Sequence, residues 1–152
     1  MNILKSLQLI LIIVILTACN NQASSYTNID YADLKKLMAN GAVLVDIRTA
    51  QEWKHTGVIA GSKTLSLFLA NGKMNPDFVP QLQQLVKVDD HLIVMCHTGG
   101  RSSVASDLLT SKLGYKNVYN VQNGIMGWIK AGYPVTSPFK RSTKYKGNDI
   151  KR

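Results

Sequence analysis

Cysteine and histidine are scarce in this chain. There are two cysteines, Cys19 and Cys96, and three histidines, His55, His91 and His97, scattered along 152 residues. Neither set has the spacing of a ligand cluster, so no metal centre and no cofactor are expected. Acidic residues are few as well, 9 against 18 lysines and arginines, for a formal net charge of +9. Internal repeats are lacking, and 152 residues leave room for one domain. The apolar run from Leu9 to Leu16 is too short to span a membrane comfortably. The apolar content of 45% otherwise suits an ordinary globular core.

What the first residues do have is the shape of an export signal: Lys5, the apolar run, then small residues. Leu16-Thr17-Ala18-Cys19 resembles the bacterial lipobox, which implies cleavage before Cys19 and a lipid on its sulfur. The expected division is a lipoprotein signal peptide over 1–18, lipidated Cys19 and a polar tether over 19–27, a domain over 28–136, and a basic tail over 137–152. The protein would be held on a membrane by its lipid, facing the periplasm or the cell exterior. Nucleic acid is not an expected partner of an exported chain. Lys140, Arg141, Lys144, Lys146, Lys151 and Arg152 face only Asp149 in the tail, which suits either solvent or anionic headgroups. With Cys19 acylated, Cys96 is left as a lone thiol in an oxidising compartment; a Cys19–Cys96 disulfide stays open only if lipidation fails.

Strand and helix signals alternate after the tether. Asp30 is placed to cap a helix with Leu34, Leu37 and Met38 on one face and Gly41 as its stop. "AVLVDIR" reads as a buried strand ending at Asp46, "TAQEWKHTG" as a loop or short helical turn, and "SKTLSL" as a short extended piece. Asn75-Pro76 reads as cap and first position of a second helix. "HLIVMC" is a strand suited to the middle of a parallel sheet, "SSVASDLLTSKLG" a helix closed by Gly114, "NVYNV" a further strand and "GIMGWIKAG" a last short helix. The expected fold is an α/β domain, its mainly parallel sheet covered on both faces.

In such a sheet, ligands sit beyond the carboxyl ends of the strands, and Cys96 stands at one of those ends. Gly99 and Gly100 permit the backbone turns that aim N–H groups inward, and a helix starting near Ser102 adds its positive end. His97, Thr98, Gly99, Gly100, Arg101 and Ser102 are the expected substrate-binding residues around the nucleophile Cys96. A cradle of this kind lowers a thiol pKa and steadies an anionic adduct on sulfur. Two chemistries use it: phosphate or arsenate chemistry, and sulfur transfer.

Four separated motifs make the pattern specific. "VLVDIRTAQEW" with Asp46, Arg48 and Glu52, "HTGVIAGS", "CHTGGRS" and "NGIMGWIKAGYPV" resemble, in order, the signatures of a single-domain rhodanese-like sulfurtransferase. The resemblance covers roughly Tyr26 to Val135. It implies attack by Cys96 on a donor such as thiosulfate or polysulfide, a persulfide intermediate, and release of the sulfur to cyanide, a thiol or a partner-protein cysteine. Asp46 and Arg48 are expected to brace the loop, Arg101 to close it, His55 to hold its turn, and Trp53 and Trp128 to lie in the core. Cys96 and Arg101 enclose four residues, against five in the related phosphatase and arsenate reductase loops, which favours sulfur transfer. His97 and Thr98 stand where thiosulfate-preferring relatives carry basic residues, which favours a polysulfide donor and a protein thiol as acceptor. A low-turnover relay or redox-sensing module is the alternative function, and a monomer the expected state.

Overall fold

A computed structural model gives the fold and describes residues 25–138. The signal-like segment with Cys19 and the basic stretch from Lys140 onward lie outside the described residues. Among the described residues no helix is long and apolar enough to cross a membrane.

The elements run β1 (Thr27–Ile29), α1 (Tyr31–Ala39), β2 (Val43–Asp46), α2 (Ala50–Thr56), β3 (Lys63–Thr64), α3 (Phe78–Leu85), β4 (His91–Met95), α4 (Gly100–Leu113), β5 (Asn117–Val121) and α5 (Gly124–Lys130). The five strands pair in the order β1-β5-β4-β2-β3, and every pairing is parallel. Parallel neighbours need a crossover, and the helices supply it on both faces. Alternation along β4 divides the core. Leu92, Val94 and Cys96 pack with Leu82 of α3 and Leu109 of α4 on one face. Ile93 and Met95 pack with Leu34 of α1 and Ile125 and Trp128 of α5 on the other. The α/β expectation therefore holds, and both tryptophans are core residues.

Local signals explain most boundaries. The Asp30 side chain accepts from the N–H groups of Ala32 and Asp33 and starts α1 as expected. Gly114, in the left-handed region at φ 73°, ends α4. Three boundaries differ from the sequence reading. "TAQEWKHTG" contains a true helix, α2, nucleated by a capping box between Thr49 and Glu52. Asn75 does not cap a helix: its amide donates to the Ser66 carbonyl, its N–H to Leu67, and its side-chain oxygen accepts from Asp77. Asn75 is thereby tied to the preceding segment, and α3 begins only at Phe78. The third difference is β1, a strand where the sequence shows a polar tether. Only Ile29 of its three residues is buried, and that is too little pattern to read. The tyrosine before it, Tyr26, bonds Ser103 of α4 across 2.6 Å.

Candidate active site

Cys96 follows β4 in the centre of the sheet, and its side chain is 1% exposed. The N–H of Gly99 lies 3.2 Å from the sulfur and the hydroxyl of Ser102, in the first turn of α4, lies 3.3 Å from it. The Ser102 hydroxyl has one proton and can alternatively donate it to the Gly99 carbonyl at 3.0 Å. Burial pushes the Cys96 thiol up. Hydrogen bonds from the Ser102 hydroxyl and from the backbone at Ser102, Thr98 and Gly99 outweigh it and hold the thiol below its ordinary value.

The loop takes this shape because a second helix holds its back. The N–H of Ile125 donates to the Cys96 carbonyl and that of Met126 to the His97 carbonyl, both at 3.0 Å. These are N–H groups of the first turn of α5, which have no partner inside their own helix. A carbonyl and the N–H of the same planar peptide point opposite ways. Holding the His97 carbonyl against α5 therefore turns the Thr98 N–H toward the sulfur. Two glycines make the approach possible. At Gly99, φ is 97° and a Cβ would stand 1.9 Å from the Gln122 carbonyl oxygen. At Gly124, φ is 54° and a Cβ would stand 2.5 Å from that of His97. Gly100 opens α4 with nothing near its missing side chain.

The Arg101 guanidinium grips Glu52 of α2 with two bonds of 3.0 and 2.5 Å and stays close enough to Cys96 for the sulfur, too, to favour its charge. Glu52 also accepts from the N–H and hydroxyl of Thr49, so one carboxylate serves as helix cap and as clamp. Burial raises the Glu52 pKa, but the Arg101 guanidinium and Thr49 bring it down to about 2. Arg101 is correspondingly pushed up, chiefly by its bond to Glu52.

A folded pKa near 2 against an ordinary 4.5 means the clamp contributes fully above about pH 4.5 and is lost as pH falls toward 2. Both side chains are partly exposed, so the contribution is at most about 1 kcal/mol. Thermal unfolding followed between pH 5 and 2 should show a larger loss in wild type than in Glu52→Gln. Equal acid sensitivity in both would contradict it.

The side-chain hydrogen bonds of Asp46 and Arg48 do not go to the Cys96 loop. Both are fully buried, and the guanidinium bonds the Asp46 carboxylate at 2.6 and 2.9 Å, the Thr56 hydroxyl at 2.5 Å and the Gly57 carbonyl at 2.8 Å. Their side-chain bonds stay within 46–57 and fix the C-terminal end of α2, while the Arg48 carbonyl accepts from the Ser66 hydroxyl at 2.9 Å. A hydrogen-bonded path from Arg48 to the loop runs through Glu52 of α2 to Arg101. His97 lies against the same carboxylate, its Nδ1 3.8 Å from Glu52 and without a hydrogen-bond partner. Thr98 is exposed. His55 sits in the last turn of α2, not in the turn after it, and lines a cavity of about 320 Å³ with Glu52 and His97. Among the described residues no group of three or more histidine, cysteine or acidic side chains is arranged to hold a metal.

Glu52 and Gly124 fall within the sequence motifs, and the approach of the Gln122 carbonyl to Gly99 has no local sequence signal. Thr49-x-x-Glu52 was legible as a capping box. The second use of Glu52 depends on Arg101, 49 residues on, and no local signal carries it.

The chain belongs to the Rhodanese-like domain family, whose sequence pattern matches residues 30–131. It is 34% identical over 113 residues to Protein HIGH ARSENIC CONTENT 1, mitochondrial, of Arabidopsis thaliana, covering 72% of this chain and 66% of that one. It is 30% identical over 104 residues to Thiosulfate sulfurtransferase GlpE of Haemophilus influenzae, covering 68% of this chain and 89% of that one. The crystal structure of Rv0390 from M. tuberculosis superposes with a TM-score of 0.62 at 24% identity, over 74% of this chain and 98% of that one, a likeness of fold.

Proposed function

We propose that this protein is a sulfurtransferase that carries a sulfane sulfur as a persulfide on Cys96, from thiosulfate or a polysulfide to a thiophilic acceptor. The observation that carries this reading is the sulfur itself, nearly buried at a strand end and faced by the Gly99 N–H and the Ser102 hydroxyl. The similarity to a thiosulfate sulfurtransferase supports it.

The Cys96 thiolate attacks the outer sulfur of thiosulfate; a new S–S bond forms, the old one breaks, and sulfite leaves with the electron pair. Cyanide or a thiolate then attacks the outer sulfur of the persulfide, and the pair returns to Cys96. In both resting forms the negative charge sits on or next to Cys96 Sγ, where the loop's N–H groups stabilise it without rearrangement. Arg101 keeps the loop closed through Glu52. Arsenate reduction is the second reading; the name of the Arabidopsis thaliana relative refers to arsenic. Against it stands the span from Cys96 to Arg101, which encloses four residues where the related phosphatase and arsenate reductase loops enclose five. The reading includes lipid attachment at Cys19 and an extracytoplasmic location, which rest on the lipobox pattern alone.

The test is to incubate purified protein with thiosulfate, polysulfide or arsenate and weigh it intact. A gain of one sulfur atom on the peptide holding Cys96, removed by cyanide as thiocyanate, is expected. Arsenate reduction without any persulfide would overturn the reading in favour of the second. Labelled fatty acid recovered on the protein in cells, and lost in Cys19→Ser, tests the anchor.

A further inference from the structure

The chain enters and leaves the domain at opposite ends of the sheet. All strands run the same way, so the start of β1 lies at the end away from Cys96. The Ser25 hydroxyl meets Thr110 there, about 12 Å along α4 from Ser102. After α5 the chain turns back to the Cys96 side, where Val58 and Thr136 exchange backbone hydrogen bonds of 2.9 and 2.8 Å. The approach is close: at Gly57, φ is 77° and a Cβ would stand 2.9 Å from the Thr136 carbonyl oxygen. The Gly57 carbonyl is held by Arg48, two residues beyond the end of β2. Thr56, two residues before Val58, lines one cavity with Glu52 and with His97, the neighbour of Cys96. The segment 139–152 therefore leaves the domain beside the Cys96 loop. Lys140 follows Thr136 by four residues, a span of at most about 14 Å.

That segment carries Lys140, Arg141, Lys144, Lys146, Lys151 and Arg152 against Asp149 alone. The loop itself has little net positive charge to offer an anion. Arg101 is bonded to the Glu52 carboxylate, and among the described residues no lysine or arginine lines the cavity beside them. Thiosulfate and polysulfide are dianions, and each has to approach a thiolate that repels it. We infer that the basic tail, residues 139–152, concentrates the dianionic sulfur donor around the Cys96 loop. The inference rests on the sulfur-transfer reading and adds to it how the donor is gathered. No channel or fixed contact is needed, because clustered charge acts over a Debye length, about 30 Å at 0.01 M salt. The donor step keeps its balance: a bond forms between Cys96 Sγ and the outer sulfur, the S–S bond of thiosulfate breaks, and sulfite leaves with the electron pair. An anionic bilayer is the competing ligand of such a tail. The geometry favours the donor, because a lipid on Cys19 would hold the bilayer near Ser25, at the opposite end of the domain.

The test measures the second-order rate at which thiosulfate loads sulfur on Cys96 of the full-length protein, at about 0.01 M and about 0.5 M ionic strength. Two triple variants lose the same charge in different places. Lys140→Gln/Arg141→Gln/Lys144→Gln acts in the tail, and Lys87→Gln/Lys112→Gln/Lys116→Gln at the far end, where α3 and α4 stop and β5 begins. The tail variant should load about threefold to fivefold more slowly at low salt and at the wild-type rate at high salt. The far-end variant should stay within about 1.5-fold of wild type at both. Alkylation of Cys96 gives a second readout. The rate ratio of iodoacetate to iodoacetamide should fall about twofold in the tail variant, because a monoanion feels half the energy of a dianion. Neutral iodoacetamide corrects for any change in the thiolate itself. Equal low-salt loading by wild type and tail variant overturns the inference, and an equal fall in both variants does so by making net charge the cause. Unchanged loading with lost binding to phosphatidylglycerol vesicles overturns it in favour of the membrane. Those outcomes leave the sulfur-transfer reading standing so long as cyanide still removes sulfur from wild-type Cys96. Absence of any cyanide-labile sulfur removes both.

Discussion

Replacing Cys96 with serine is expected to abolish sulfur transfer, with turnover falling on the order of a thousandfold or more, while the domain stays folded. The loop lowers the Cys96 thiol and so favours the nucleophilic thiolate, whereas a serine hydroxyl stays protonated and forms no persulfide. The fold should tolerate the change because the sulfur already sits among donors. A serine oxygen at that position can accept from the Gly99 N–H that now bonds the sulfur. Steady-state turnover to cyanide, with circular dichroism as the check on folding, measures it. Residual turnover within tenfold of wild type would mean that the reaction does not pass through Cys96.

The largest effect on stability is expected at Arg48, far from any substrate. In Arg48→Met the Asp46 carboxylate would be left fully buried with no counter-charge, and the Thr56 hydroxyl and Gly57 carbonyl would each lose a donor. Removing one partner of a buried pair costs about 3–5 kcal/mol. In a chain of this length that corresponds to a fall in Tm of roughly 10 °C or more. The double variant Asp46→Asn/Arg48→Met removes the orphaned charge and should recover part of the loss. Denaturant unfolding checks both, and a loss under 1 kcal/mol in the single variant would contradict the assignment.

These two predictions differ in how visible they were before the fold was known. Cys96, Gly99 and Ser102 follow one another on a strand, a turn and a helix, so the sequence carries their grouping directly. The strand itself was plain from "HLIVM", whose continuous apolar run suits a strand buried on both faces. Asp46 and Arg48 were also recognisable, but the hydrogen-bonded path from them to the loop was not, because it passes through Glu52 of α2 to Arg101. That path joins segments dozens of residues apart, and periodicity reports only neighbours. The same limit hid the α5 contacts to the Cys96 and His97 carbonyls, although Gly124 was marked by its motif. Asn75 misled for the opposite reason. Its local signature is that of a cap, and three hydrogen bonds to Ser66, Leu67 and Asp77 give it another task. The strand β1 offered too few buried residues to be seen at all.

Every step of the proposed chemistry depends on the loop favouring negative charge on the Cys96 sulfur. The most direct measurement is the ultraviolet absorbance of the thiolate as a function of pH, taken as the difference between wild type and Cys96→Ser. The account predicts a midpoint below that of an ordinary free thiol, moved upward in Ser102→Ala by loss of the hydroxyl that stands 3.3 Å from the sulfur. A midpoint at or above the ordinary value, unmoved by Ser102→Ala, would mean that burial governs the thiol and that the loop is not a cradle for an anionic sulfur.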